Sequence, residues 1–348
     1  VSGFASMSLR AVLVWVLMLL GLPLGINAVS QDTLYVHIIP HSHCDPGWLD
    51  TFEGYFRHDV NRILTNVLAQ LWNNPDRRFV WAELSFFTRW WKDQPTDVKK
   101  RFKEVVQRGQ LEFVGGGWVQ NDEANPTMES VVNQVTTGHE FLLKTFGVRP
   151  KIGWQIDPFG HSAMTPALFA NLGYDATVIN RIHFQQKSKF KATRHMEFLW
   201  EGAKLSNEED LDLKIFTHVL HTHYSAPRGF DFENPGVSPV SGYNANGRAR
   251  DFINQMRQRQ RAYRTNHILV PFGDDFKFKQ AARQFSSMGN VIQAVNSQKN
   301  MNVHVRYSTL SEYFQAVYAE ATQKKINFPV YKLDFFPYAD NGDSYWSG

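Results

Sequence analysis

From Leu34 to Thr309 the chain alternates short apolar runs with stretches of helical period. LYVHIIP (34–40) reads as a buried strand. DVNRILTNVLAQLW follows, with Val60, Ile63, Leu64, Val67, Leu68 and Leu71 at helical spacing. RFVWAEL (78–84) is strand-like, and TDVKKRFKEVVQRG then predicts a helix with Thr96 as N-cap, apolar Val98, Phe102, Val105 and Val106, and Gly109 as its stop. LEFV (111–114), KIGWQI (151–156), ATVI (176–179), KIFTHVL (214–220), HILVPF (267–272) and VHVRYST (303–309) are further strands. MESVVNQVTTGHEFLLKTFG and TPALFANLG are helices that close on Gly147 and Gly173. Such alternation implies an α/β fold with a parallel sheet, and seven or eight strands predict a (β/α) barrel-like closure. The stretch 222–250, containing SAPRGFDFENPGVSPVSGYNANG, reads as a long loop over the sheet, a place where function often sits.

Composition removes several function classes. Hydrophobic residues are 43% of the chain, enough for a sizeable core, and the net charge is only +4. No basic stripe interleaved with aromatics occurs, so nucleic acid is a poor partner. The single cysteine, Cys44, forbids an intrachain disulfide and a Cys-based zinc ribbon. A metal site would therefore be built from histidine and carboxylates. The start of the chain resembles a secretory leader. The first methionine is Met7, Arg10 precedes an apolar run from Ala11 to Ile26, and LPLGINA ends near Ala28. That run is shorter than the roughly 20 residues that span a bilayer. Residues 1–28 are thus expected to be a signal peptide, including those before Met7, with no stable membrane insertion and with residues 29–348 as one α/β domain.

Polar clusters fall where the strands end. HSHCD follows the first strand, Glu83 ends the second, and GGGWVQNDE follows the third. IDPFGHS, NRIH, HTHYSAPR and GDDF follow later strands. Parallel α/β proteins carry their active sites along the carboxyl edge of the sheet. In an extended segment His41, His43 and Asp45 point to one side and Cys44 to the other. A histidine and an aspartate from one segment can bind one ion, and Asp157 can join from the fourth strand end. Against this stands the plain reading of His43 as a turn residue. Trp154 and Phe159 flank Asp157 with aromatic faces, as a sugar site would want. GDDF supplies Asp274 and Asp275 together; adjacent like charges raise at least one pKa, which suits a proton donor, although acids also favour helix N-termini for electrostatic reasons alone.

Taken together, HIIPHSHCDPGW, RFVWAELSFFTRWW, LEFVGGGWVQNDEA, WQIDPFGHS, INRIHF, PFGDDF and DFFPYADNGDSYWSG resemble the class II α-mannosidases, glycoside hydrolase family 38. The motifs run in family order over nearly all the chain after residue 34. The resemblance implies a retaining α-mannosidase acting on terminal α-mannosyl residues of N-glycans or free oligomannosides, with one zinc ion. Asp157 matches the metal-bound nucleophile, and His43 and Asp45 match two further zinc ligands. Asp275 matches the acid/base. Trp48, Phe159, Arg181, Asp274, Trp346 and Tyr224 match the substrate-contacting set, and His41 matches a histidine that is not a ligand. The implied partners are α-mannoside glycans, a homodimer is compatible with the pattern, and the implied compartment is the secretory pathway, lysosomal, vacuolar or secreted rather than Golgi.

Two departures stand out. Cys44 occupies a position where Asn or Asp is expected. The family's fourth zinc ligand, a histidine in a later motif, has no counterpart here, so the sequence is expected to be the amino-terminal portion of a longer enzyme and to have low activity as given. Two other classes compete: a zinc-dependent deacetylase or amidohydrolase on a parallel barrel, and an inactive carbohydrate-binding homologue. The first needs neither a second sugar-side carboxylate nor an aromatic wall, and the second fits this stretch but not the longer enzyme it resembles.

Overall fold

A computed structural model describes residues 32–203 and 213–346. The expected signal peptide at 1–28 lies outside the described residues. The strands are β1 (Leu34–Pro40), β2 (Phe79–Trp81), β3 (Leu111–Phe113), β4 (Ile152–Gln155), β5 (Ala176–Ile179), β6 (Glu197–Glu201), β7 (Lys214–Val219), β8 (His267–Phe272), β9 (Val303–Tyr307), β10 (Val330–Tyr331), β11 (Tyr338–Ala339) and β12 (Tyr345–Trp346). Helices α1 (Asn61–Asn73), α2 (Leu84–Asp93), α3 (Thr96–Gln107), α4 (Met128–Phe146), α5 (Met164–Asn171), α6 (Phe184–Thr193), α7 (Ala245–Gln260), α8 (Ala281–Asn296) and α9 (Leu310–Lys324) run between them.

The parallel α/β architecture is as the alternation predicts; among the described residues no closed barrel forms. Among the described residues the strands form sheets in the orders β8-β1-β9, β10-β6-β7-β5-β4, β2-β3 and β11-β12. β1 is central and buried, parallel to β8 on one side and β9 on the other. Single contacts join the pieces: a parallel bridge from His41 to Val80, and Gly115 N–H donating to the Ile152 carbonyl at 2.8 Å. β6, which the apolar periodicity alone does not reveal, lies between β10 and β7 and pairs antiparallel with β7.

Helix faces follow the sequence pattern. Ile63, Leu64, Val67, Leu68 and Leu71 of α1 are buried, as are Phe102 and Val105 of α3. The N-cap of α3 is Pro95 rather than Thr96, because the Pro95 carbonyl accepts the first helical bond, from Lys99 N–H at 3.0 Å. Thr127 caps α4, Gly147 closes it in the left-handed region at φ 71°, and Thr309 with Glu312 forms a reciprocal capping box on α9. The long loop is shorter than 222–250, since α7 begins at Ala245. Among the described residues no helix is long and apolar enough to cross a membrane.

The parallel strands all present their carboxyl ends to one edge. The segments after β1, β2, β3, β4, β5, β7 and β8 therefore carry His43 and Asp45, Glu83, Gln120 and Asp122, Asp157, Arg181, Tyr224, and Asp275 to a common place.

Candidate active site

A cavity of about 320 Å³ opens at that edge, lined by His43, Asp45, Trp48, Gln120, Asp122, Asp157, Pro158, Phe159, Arg181, Tyr224, Asp275 and Trp346. Every residue given a catalytic, metal or substrate role from the sequence lines it except Asp274. The Asp274 side chain instead accepts the Asp275 N–H at 3.0 Å, and its carbonyl accepts the His43 N–H at 3.2 Å. Gln120 was not legible as a site residue; the only signal is its place just beyond β3.

His43 is the centre of the polar array. It is buried at 3% exposure, and its Nε2 lies 3.2 Å from Asp45 Oδ1 and 3.3 Å from Asp157 Oδ2. Nε2 has no aligned hydrogen-bond partner among the described residues. A buried imidazole nitrogen with carboxylate oxygens around it but no proper hydrogen bond is the donor arrangement of a cation site. The group whose ligand atoms all fall within 4.8 Å of one another is His43, Asp45 and Asp275; Asp157, the expected third ligand, reaches His43 Nε2 but is not in that group. The donor set, one imidazole and up to three carboxylates, fits zinc. His41 is turned away from it: its Nε2 meets the Tyr224 carbonyl at 2.8 Å, and burial holds its pKa down to about 4. Cys44 points into the core, fully buried, with Sγ 3.4 Å from Ser42 Oγ, and burial pushes its thiol pKa up. It stands outside the donor set, in keeping with strand alternation.

The two key carboxylates sit in contrasting surroundings. Burial would raise Asp157, but His43 and the Arg181 guanidinium outweigh it and hold its pKa at about 2. Arg181 donates from Nε at 2.8 Å and from an Nη at 2.6 Å to Asp157 Oδ1, leaving Oδ2 towards His43. Desolvation in the cleft raises Asp275, with Asp274 and Asp45 adding to this, against the pull of His43 and of the Tyr224 hydroxyl that donates to Asp275 Oδ1 at 2.9 Å. Arg181 also lies over the Phe159 ring at 4.8 Å and donates to the Tyr338 hydroxyl at 3.2 Å. Trp346 stands 5.4 Å from Phe159 and Trp48 is 68% exposed, so the mouth is walled by aromatic faces open to solvent.

The Asp157 loop is clamped from behind. Glu123, 1% exposed at its side chain, accepts from His161 at 2.8 Å, from Ser162 N–H at 2.8 Å, from Gln155 at 3.1 Å and from the Thr165 hydroxyl. These bonds join the segment after β3 to the segment after β4 on both sides of Asp157.

Comparison with known proteins places this geometry. The sequence pattern of the glycosyl hydrolases family 38 N-terminal domain matches residues 33–341. Alpha-mannosidase F of Dictyostelium discoideum is 39% identical over 331 residues, covering 92% of this chain and 32% of the relative. Lysosomal alpha-mannosidase of the same organism is 37% identical over 335 residues, 92% of this chain and 32% of its own length. A solved alpha-mannosidase from Enterococcus faecalis superposes with a TM-score of 0.67 at 22% identity, over 87% of this chain and 31% of that one, which supports the fold. The chain thus spans about a third of the length of the curated relatives it matches.

Proposed function

Because the chain belongs to the glycosyl hydrolases of family 38, we propose that it carries the catalytic centre of a zinc-dependent, retaining α-mannosidase. The observation that carries the reading is His43 Nε2, buried and without a hydrogen bond, facing the carboxylates of Asp45 and Asp157 in a cavity walled by Trp48, Phe159 and Trp346. His43, Asp45 and Asp157 are the residues that would hold the ion. When bound, zinc supplies Lewis-acid polarisation and a template for sugar hydroxyls.

The chain's own groups divide the remaining work. Asp157 stays ionised, and the two Arg181 bonds to Oδ1 fix its plane, so it is the group to attack the anomeric carbon and form a glycosyl ester. Asp275 lies within ligand reach of His43 and Asp45, but its surroundings favour holding a proton. Two carboxylates pushed apart in acidity mark an acid/base division of labour. Asp275 would protonate the leaving oxygen, and after departure of the aglycone it would deprotonate the water that hydrolyses the ester. Tyr224 holds its carboxyl in place. The aromatic walls offer stacking faces to the sugar ring. A place in the secretory pathway, lysosomal, vacuolar or secreted, goes with this reading; relatives from Dictyostelium discoideum and Bos taurus bear a lysosomal name.

The test is turnover of an aryl α-mannoside by the intact protein, before and after chelation and after zinc is returned. Hydrolysis lost on chelation and restored by zinc supports the reading. Absence of mannoside turnover with deacetylation of an N-acetyl sugar would replace it.

A further inference from the structure

Behind His43 lies a second carboxylate that no ligand role accounts for. Glu83, at the end of β2, is 1% exposed. Its Oε1 accepts from Gln120 Nε2 at 2.6 Å and lies 3.4 Å from His43 Nδ1. Among the described residues nothing hydrogen-bonds its Oε2. Burying a carboxylate with an idle oxygen is costly, and a role in stability alone would be served better by a neutral side chain. Gln120 is fixed in turn: Ile156 N–H, which can only donate, reaches its Oε1 at 3.1 Å. Gln120 Nε2 is therefore the amine end, and at 3.0 Å from His43 Nδ1 it can only donate there, so it serves Nδ1 as long as that nitrogen carries no proton. The remaining acceptor for an Nδ1–H is Glu83 Oε1.

We propose that Glu83 and Gln120 are positioning residues that hold His43 with its Nε2 lone pair turned towards Asp45 and Asp157. With an ion on Nε2 the ring proton sits on Nδ1, and Glu83 Oε1, 3.4 Å away, is the acceptor within reach. Gln120 ties that carboxylate to the peptide next to Asp157, so two ligands borne by different strands are held in one frame. A histidine ligand whose other nitrogen is bonded to a carboxylate has its ring orientation fixed and is a better donor. The inference rests on the metal reading above, and it concerns residues outside the ligand set.

The test is zinc affinity of the intact apo-protein, measured by competition with a chromophoric chelator for wild type, Glu83→Gln, Glu83→Ala and Glu112→Gln. Glu112 on β3 is a carboxylate outside the cavity, bonded by Ser311 N–H at 3.1 Å, and serves as the control for replacing a carboxylate by an amide. The expected result is a loss of zinc affinity of roughly 10-fold in Glu83→Gln and up to roughly 100-fold in Glu83→Ala, the range seen when outer partners of a ligand are removed. Glu112→Gln should bind as wild type does. Apo melting temperature of Glu83→Gln should stay near wild type, and saturating zinc should restore most turnover, which a merely collapsed core would not allow. Should Glu83→Ala fail to fold, Glu83→Gln alone decides. Wild-type binding with unchanged affinity in Glu83→Gln overturns this inference and leaves the metal reading standing. A wild-type protein that binds no zinc overturns both.

Discussion

Gly138→Ala tests how the site is hung on the fold. Gly138 lies in the middle of α4, an element position where alanine ordinarily stabilises by roughly 1 kcal/mol. Here its backbone packs directly on the segment that carries Gln120 and Asp122. A Cβ at Gly138 would lie 2.0 Å from the Gly116 carbonyl oxygen and 3.0 Å from the Gly116 carbonyl carbon. Ordinary contact begins at 3.4 Å, so helix and loop must part by about 1.4 Å. The loop has little freedom to yield. Gly115 and Gly116 have φ of 63° and 71°, His139 bonds the Gly115 carbonyl, and Gln134 accepts the Trp118 and Val119 amides. Overpacking costs about 1–3 kcal/mol; a 2.0 Å approach to backbone takes the upper end, about 3 kcal/mol, which the propensity gain of about 1 kcal/mol reduces to a net destabilisation of roughly 2 kcal/mol. At about 2–4 °C per kcal/mol that is a fall in Tm of about 5 °C. Because Gln120 and Asp122 move with the loop, kcat/KM should fall on the order of 10–100-fold, as a displacement near 1 Å does. Thermal melts and mannoside kinetics on one preparation measure both. A Gly138→Ala protein as stable as wild type, or more so, would refute the close-packing argument.

Asp157→Asn keeps the shape that Arg181 grips but removes the attacking charge; turnover should fall by at least roughly 10⁴-fold, about 5.4 kcal/mol in the barrier, with circular dichroism unchanged. Residual activity of a few per cent would sink its assignment as nucleophile. Asp275→Asn should slow mannosides with poor leaving groups far more than activated aryl mannosides, since only the former need the proton; equal losses would move the acid role elsewhere. Burial, with Lys191 and Arg181 adding and Asp340 opposing, brings the Lys187 pKa from 10.5 down to about 7. Between those values the unfolded chain binds more protons, so stability rises with pH; below about 7 both states are charged and the whole penalty remains. Urea midpoints at about pH 6 and about pH 9 should therefore show Lys187→Met gaining on wild type most at the lower pH, and a pH-independent difference would count against a neutral folded lysine.

Parts of this fold can be derived from spacing because one physical rule decides them. The apolar positions of α1 fall every three or four residues, and burial of that face leaves no competing register. Apart from His37 and His267 the strands β1 and β8 are apolar or aromatic, and they are buried from Val36 and Ile268 onwards, as expected of parallel strands covered on both faces. β6 is different. EFLWE is short, and its antiparallel pairing with β7 is not encoded locally, so ring closure is the natural extrapolation from the parallel alternation, while the described strands form separate sheets. At the N-cap of helix α7 stands Asn244, whose side-chain oxygen accepts the Ser241 N–H instead of capping the helix, so the stretch before it reads as a longer loop than it is.

The site divides along the same line. His43, Asp45, Asp157 and Asp275 are legible because their chemistry is conspicuous at strand ends: ligand spacing of two in an extended segment, an Asp-Pro turn, a paired aspartate. The residues that make this chemistry usable are not conspicuous. Gln120 is one amide among many, Glu83 reads as the end of a strand, and Glu123 as a loop acid, yet each is fixed by bonds to elements distant in sequence. Glu83 meets Gln120 across 37 positions, and His43 meets Gln120 across 77. Contacts of that separation exist only once the strand ends converge, so no local pattern can announce them. It follows that substitutions at Glu83 or Glu123 should be read first as effects on where His43 and Asp157 stand, and only then as effects on the core. The discriminating observation is whether saturating zinc returns activity to a variant whose apo-protein melts near the wild-type temperature.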